Sequence, residues 1–164
     1  MTETNKTILS TQARAEIDQW IKRYPADQKR SGVMQALTIV QAENGGSLTE
    51  ALMDAVADYL GMPRIAVYEV VSFYTLYNVK PVGRHIINVC TNISCMLSGS
   101  EKIVEHLKKR LDIGNNETTS DGKFTLREVE CLAACAAAPM FQIGKKYYEN
   151  LTPEKVDNII KELE

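Results

Sequence analysis

Four cysteines are the residues of this chain best suited to chemistry, and they fall in two close pairs. Cys90-Thr-Asn-Ile-Ser-Cys95 and Cys131-Leu-Ala-Ala-Cys135 are separated by the 35 residues Met96 to Glu130. Two such pairs suit a [2Fe–2S] cluster: its two tetrahedral irons share bridging sulfides, and each needs two further sulfurs. The simplest arrangement puts Cys90 and Cys95 on one iron and Cys131 and Cys135 on the other, with mixed pairing left open by the spacing. Four cysteines also suit zinc, although zinc ribbons favour C-x2-C knuckles. A disulfide oxidoreductase would need a reactive C-x2-C, which the chain lacks. Spacing therefore favours iron–sulfur, with zinc, thiol redox chemistry and inert core cysteines still open. Ala133-Ala134 and Ala136-Ala137-Ala138 keep bulk away, so that backbone N–H groups can approach the sulfurs. Met96, Leu97 and Leu132 can shield part of such a site from water.

The elements around the pairs are those needed to place them. His85-Ile-Ile-Asn-Val-Cys90 is a short β run that delivers Cys90, and Phe124 to Glu130 is a second that delivers Cys131. Between them, Ser98-Gly-Ser-Glu101 has the form of a capping box ahead of Ile103, Val104, Leu107 and Leu111 at helical spacing. Met140 to Ile143 and Lys146 to Glu149 flank Gly144-Lys145 as a β-hairpin. Thr152-Pro153 opens a last helix carrying Val156, Ile159, Ile160 and Leu163. The order β-α-β-β-β-α predicts a compact α/β layer over residues 79–164.

Residues 1–78 have helical periodicity instead, behind a polar tail over 1–10. Ala13, Ile17, Trp20, Ile21 and Tyr24 mark a first helix, with Trp20 expected in the core. A second starts at Ser31 and stops at Gly45-Gly46. Ser47-Leu-Thr-Glu50 is a capping box for a third, closed by Gly61, and Pro63 opens a fourth. Ser72 to Val79 is aromatic and β-prone. Its Phe73, Tyr74 and Tyr77 are expected to pack within the chain, with a partner surface as the alternative. The expected fold class is thus α/β, a four-helix domain followed by the cysteine-bearing domain.

Composition narrows the function. The 164 residues carry a net charge of −2, and Lys108-Lys109-Arg110 is the largest basic cluster, giving little support for nucleic-acid binding. No apolar run reaches the length that spans a bilayer. The N-terminal residues lack a basic start and apolar core, so a cytoplasmic location is expected, where thiols stay reduced. The nine glycines form no G-x-G, so the chain has no dinucleotide fingerprint of its own. His85, expected beside the first cysteine loop, and His106, expected on a polar helix face, are not needed as ligands beside four paired cysteines. No Ser/His/Asp or carboxylate pair argues for hydrolysis, and no catalytic residue is assigned.

The residues from Val79 to Leu163 resemble the thioredoxin-like [2Fe–2S] ferredoxin family. The resemblance rests on Cys90-Thr-x-x-x-Cys95-Met-Leu, Phe124-Thr-Leu-x-Glu-Val-Glu-Cys131-Leu-x-Ala-Cys135, Ala138-Pro139-Met140 and Tyr147-Tyr148-Glu149-x-Leu151-Thr152-Pro153. With Tyr68-Glu-Val-x-Ser-Phe-Tyr74 and Pro81-Val-Gly83, it extends from about Ile17 to the C-terminus. Over that length the chain is similar to the 24 kDa-type, or E-type, subunits of respiratory complex I, the NADH:quinone oxidoreductase. The resemblance implies a thioredoxin-like fold and one [2Fe–2S] cluster on Cys90, Cys95, Cys131 and Cys135. It implies electron exchange with FMN on a neighbouring NADH-oxidising flavoprotein subunit, no activity alone, and a place on the peripheral arm of the complex. The same module in a soluble NAD-linked hydrogenase or formate dehydrogenase is the alternative. The family often has Gly where Ala133 stands and Pro where Ser94 stands.

Overall fold

A computed structural model describes residues 8–164, and these divide at Pro81/Val82 into two units. The second unit is built on a four-stranded sheet in the order β2-β1-β3-β4. Its strands are β1 (His85–Cys90), β2 (Phe124–Val129), β3 (Phe141–Ile143) and β4 (Lys146–Tyr148). The first unit holds α1 (Thr11–Ile21), α2 (Val33–Glu43), α3 (Glu50–Leu60) and α4 (Arg64–Phe73); α5 (Ile93–Leu97), α6 (Ser100–Leu111) and α7 (Pro153–Leu163) belong to the second.

β1 and β2 run parallel, with His85 opposite Phe124 and Cys90 opposite Val129. A parallel pair needs a long crossover, and α5 and α6 supply it. β3 pairs antiparallel with β1 and then with β4, which is the expected hairpin. Period 2 along the strands sends Ile87, Val89, Phe124, Leu126, Phe141 and Ile143 to one face. There they meet Ile103, Val104 and Leu107 of α6 and Val156 and Ile160 of α7 in one core. The Thr152 hydroxyl caps α7 by accepting from the Lys155 N–H at 3.3 Å, and Pro153 takes the first helical position. Lys108 pairs with Glu128 and Arg110 with Glu164 on the solvated face of α6, where Lys109 and Arg110 are exposed.

Two expected caps are displaced. Ser98 is spent on α5, where its hydroxyl donates to the Ser94 carbonyl at 2.8 Å. The chain then turns through Gly99 at φ 92°, which becomes the N-cap of α6 without a side-chain bond; a left-handed residue of this kind favours glycine. Likewise Thr49, not Ser47, caps α3, accepting from the Leu52 N–H at 3.3 Å.

In the first unit, Ile17, Leu37, Val40, Leu48, Val56 and Val67 are fully buried in one core. Each such side chain stabilises the fold by roughly 1.5–3 kcal/mol relative to exposure. A 3₁₀ turn at Lys29–Gly32 precedes α2 in place of a helix start at Ser31. The β-prone stretch after α4 makes no strand. Its polar groups go elsewhere: Tyr77 donates to the Met34 carbonyl at 2.8 Å, and the Gln41 side chain accepts from Asn78 N–H at 2.7 Å and donates to the Leu76 carbonyl at 3.0 Å. With its backbone satisfied by α2, the segment has no need of a ladder. Tyr77 is buried as expected, but Phe73 is 78% exposed and Tyr74, edge-on to it at 5.0 Å, is exposed as well, so only one of the three aromatics packs into the chain's interior. Trp20 is half-buried under the Arg23 guanidinium, 3.8 Å from its ring centroid, and is not a core residue. Of the expected polar tail, residues 1–7 lie outside the described residues; Leu9 is buried and Ser10 caps α1.

Gly83 sits where the chain enters the sheet. Its N–H donates to the Thr125 hydroxyl at 2.6 Å, and an added Cβ would lie 2.7 Å from the Phe124 carbonyl carbon. Backbone cannot yield as a flexible side chain does, so Gly83→Ala should destabilise the second unit by about 1–3 kcal/mol. A urea-unfolding midpoint equal to that of the wild type would show that the approach is not as tight as it stands here.

Candidate metal centre

The parallel register of β1 and β2 brings both cysteine loops to one end of the sheet. Cys90 is the last residue of β1, and Cys131 follows β2 by two residues. The Cys90 Sγ lies 3.7 Å from the Glu130 carbonyl oxygen, so the end of the first strand touches the start of the second cysteine loop. Cys90 N–H donates to the Met140 carbonyl at 3.2 Å, which fixes the loop before β3 to the same corner. The Ala138–Pro139 peptide in that loop is cis.

The four thiols differ in setting. Cys90 and Cys95 are 3% and 2% exposed and pack with Met140, against Leu132, Ala134 and Ala138. Cys131 and Cys135 are exposed. Cys95 comes from α5, whose first N–H donates to the Asn92 side chain at 2.7 Å. Cys135 opens a 3₁₀ turn, Cys135–Ala137. Among the described residues, no three His, Cys, Asp or Glu side chains converge as a single bound ion would require. A two-iron cluster asks instead for sulfurs in pairs.

Electrostatics divide the buried pair. Burial pushes the Cys90 thiol up, but hydrogen bonds from the Asn92 backbone, the Cys95 thiol and the Leu132 backbone outweigh it and hold Cys90 below its ordinary value. Cys95 is pushed up to about 11, first by burial and then by donating to Cys90 and facing its charge; Cys135 adds to the same push. Of the buried pair, Cys90 thus gives up its proton more readily than an ordinary thiol, and Cys95 less readily until a cation arrives. Thiolate ligands must shed their protons to bind metal, so loading releases protons.

Beside the exposed pair the alanine run admits a backbone donor to sulfur as expected, whereas nothing in the sequence signalled the bond from Tyr147. Ala133 N–H donates to Cys131 Sγ at 3.3 Å, and the Tyr147 hydroxyl donates to the Leu132 carbonyl at 2.9 Å. The bond from Tyr147 spans 15 residues and exists only because β4 folds back beside the loop. Neither histidine approaches this corner. His85 stands at the far end of β1 from Cys90, its ring 5.6 Å from that of Phe124, and not beside the cysteine loop as expected. His106 lies 2.9 Å from Asp157.

Comparison with known proteins shows the family. The model of the thioredoxin-like [2Fe-2S] ferredoxin family matches residues 17–164. The chain belongs to the thioredoxin-like [2Fe–2S] ferredoxin family. It is 48% identical over 143 residues to the E-type subunit of the NADH-quinone oxidoreductase of Rickettsia bellii, covering 87% of this chain and 86% of that one. It is 45% identical over 148 residues to an E-type subunit of the NADH-quinone oxidoreductase of Rhizobium meliloti, covering 90% and 86%. Among solved structures, an NAD+-reducing [NiFe]-hydrogenase chain superposes with a TM-score of 0.71 over 80% of this chain, at 20% identity. This chain spans only 22% of that one, and the likeness concerns the fold. The α/β class with a thioredoxin-like second unit and the [2Fe–2S] cofactor expected from the sequence both stand.

The residues at the corner fit the family's cluster. The buried Cys90 and Cys95 thiols meet, the charge of Cys135 is felt at Cys95, and the Ala133 N–H donates to the sulfur of Cys131. The fit has one local cost. Ala133 is held at φ 58°, in the left-handed region that glycine adopts freely. A left-handed alanine costs roughly 1–2 kcal/mol, and this is the position where the family often has Gly. Part of any gain from Ala133→Gly is lost to the freer unfolded chain. The net should be a stabilisation of up to about 1 kcal/mol, visible as a higher denaturant midpoint. A lower midpoint would mean that the alanine is not strained.

Proposed function

We propose that this chain is the electron-transfer subunit of an NADH:quinone oxidoreductase, with Cys90, Cys95, Cys131 and Cys135 as the ligands of its [2Fe–2S] cluster. The observation that carries this reading is the meeting of the two cysteine loops at the end of the parallel β1–β2 pair, with Cys90 Sγ beside the Glu130 carbonyl. When bound, the cluster takes up and returns one electron at a time. The chain's own residues enclose one side and open the other. Cys90, Cys95 and Met140 wall the site off from water, whereas Cys131 and Cys135 stand at the surface. The Cys131–Cys135 side would accordingly be the one to face the FMN of a neighbouring NADH-oxidising flavoprotein subunit.

The relatives' names support the quinone-linked complex over a soluble NAD-linked hydrogenase, because identity is 44–48% to E-type subunits of the former and 20% to a chain of the latter. Among the described residues, no helix is long and apolar enough to cross a membrane. The protein's place is accordingly on the peripheral arm, held there by other subunits. Residues 1–78 supply the assembly surface, where Ile65, Phe73 and Leu76 are exposed.

Purified protein should be brown and carry two irons and two labile sulfides per chain. A colourless chain with one zinc would overturn the proposal. Cys131→Ser should abolish or strongly weaken the electron paramagnetic resonance signal of the reduced protein, and an unaltered spectrum would remove Cys131 from the ligand set. For the assembly surface, Phe73→Glu should reduce co-purification with the flavoprotein several-fold at unchanged iron content. Recovery of the partner at full yield would place the contact elsewhere.

A further inference from the structure

Tyr147 touches the ligand loop at its most consequential point. Leu132 and Ala133 are joined by one peptide group, and both of its ends are engaged. The carbonyl accepts the Tyr147 hydroxyl at 2.9 Å, and the N–H donates to Cys131 Sγ at 3.3 Å. Phenol, peptide and sulfur thus form an unbroken donor chain. The left-handed turn at Ala133, φ 58°, is part of this geometry. The other backbone bonds of the loop do different things. Ala137 N–H to Ala134 O and Ala138 N–H to Cys135 O stay inside it. Asn150 N–H to Ala137 O and Leu151 N–H to Pro139 O anchor only its far end. The phenol itself is anchored in the sheet, since Tyr147 in β4 pairs with Gln142 of β3.

We propose that Tyr147 is a positioning residue: its hydroxyl orients and polarises the Leu132–Ala133 peptide toward Cys131 and so raises the reduction potential of the cluster. The proposal rests on Cys131 being a ligand. The sign follows from charge. Reduction adds negative charge to the iron–sulfur unit, and an N–H aimed at a ligand sulfur stabilises the more negative state. A peptide whose carbonyl already accepts a hydrogen bond donates more strongly from its N–H. A role limited to stapling the loop would change the rate of cluster loss but not the potential.

The test is a redox titration followed by electron paramagnetic resonance on the assembled complex, comparing wild type, Tyr147→Phe and Tyr148→Phe. Tyr148→Phe removes a hydroxyl one residue away that bonds nothing in the loop and keeps the ring, which packs on Phe141 at 5.3 Å. Tyr147→Phe should keep its iron and sulfide, shift the midpoint potential to a more negative value, and alter the g-values. Tyr148→Phe should match the wild type. If Tyr147→Phe fails to load its cluster, 3-fluorotyrosine at position 147, a stronger donor while still protonated, should shift the potential the other way. An unchanged potential in the loaded variant, or an equal shift in Tyr148→Phe, overturns the role of Tyr147. Wild-type protein without iron would instead overturn the assignment of the cluster ligands.

Discussion

The parallel pairing of β1 with β2 is the constraint on which the site depends. Both strands end at the same edge, so the two cysteine loops emerge together although about 40 residues lie between Cys90 and Cys131. An antiparallel pairing would have sent Cys131 to the opposite end. The parallel arrangement requires a crossover, and that requirement explains α5 and α6. The crossover then serves a second purpose, because its first turn of helix carries Cys95. The core under the sheet holds the register: a slip of one residue would turn Ile87, Val89 and Leu126 away from α6 and α7.

At the edge, the two cysteine pairs occupy different dielectric settings. Cys90 and Cys95 are buried beside Met140, where the hydrogen bond between them lowers the pKa of the first thiol and raises that of the second. Cys131 and Cys135 face solvent on a loop with few outside supports. A cofactor held between such pairs is shielded on one flank and reachable on the other. That asymmetry suits a carrier that must exchange electrons with another protein while keeping water from most of its inorganic core.

Much of the second unit was legible from the chain itself. The strand at His85–Cys90, the hairpin around Gly144 and the last helix from Pro153 stand where alternation, turn residues and capping place them. Local rules failed where a residue had two uses. Ser98 fits a capping box but terminates α5, because no sequence pattern foretold a five-residue helix before it. The stretch after α4 has strand propensity, yet Gln41 and Met34 take up its hydrogen bonds, and propensity yields to the partners at hand. Trp20 has the spacing of a core residue but lies at a helix end, where Arg23 covers it.

Cysteine number, spacing and flanking strands determine what chemistry this protein is equipped for, because thiolate pairs on short loops are a local property of the chain. Tertiary structure alone decided which pair is buried and which distant side chain reaches the loop. Burial, charge proximity and the bond from Tyr147 to Leu132 arise between segments far apart in sequence, brought together by strand order. No reading of neighbours along the chain can supply them.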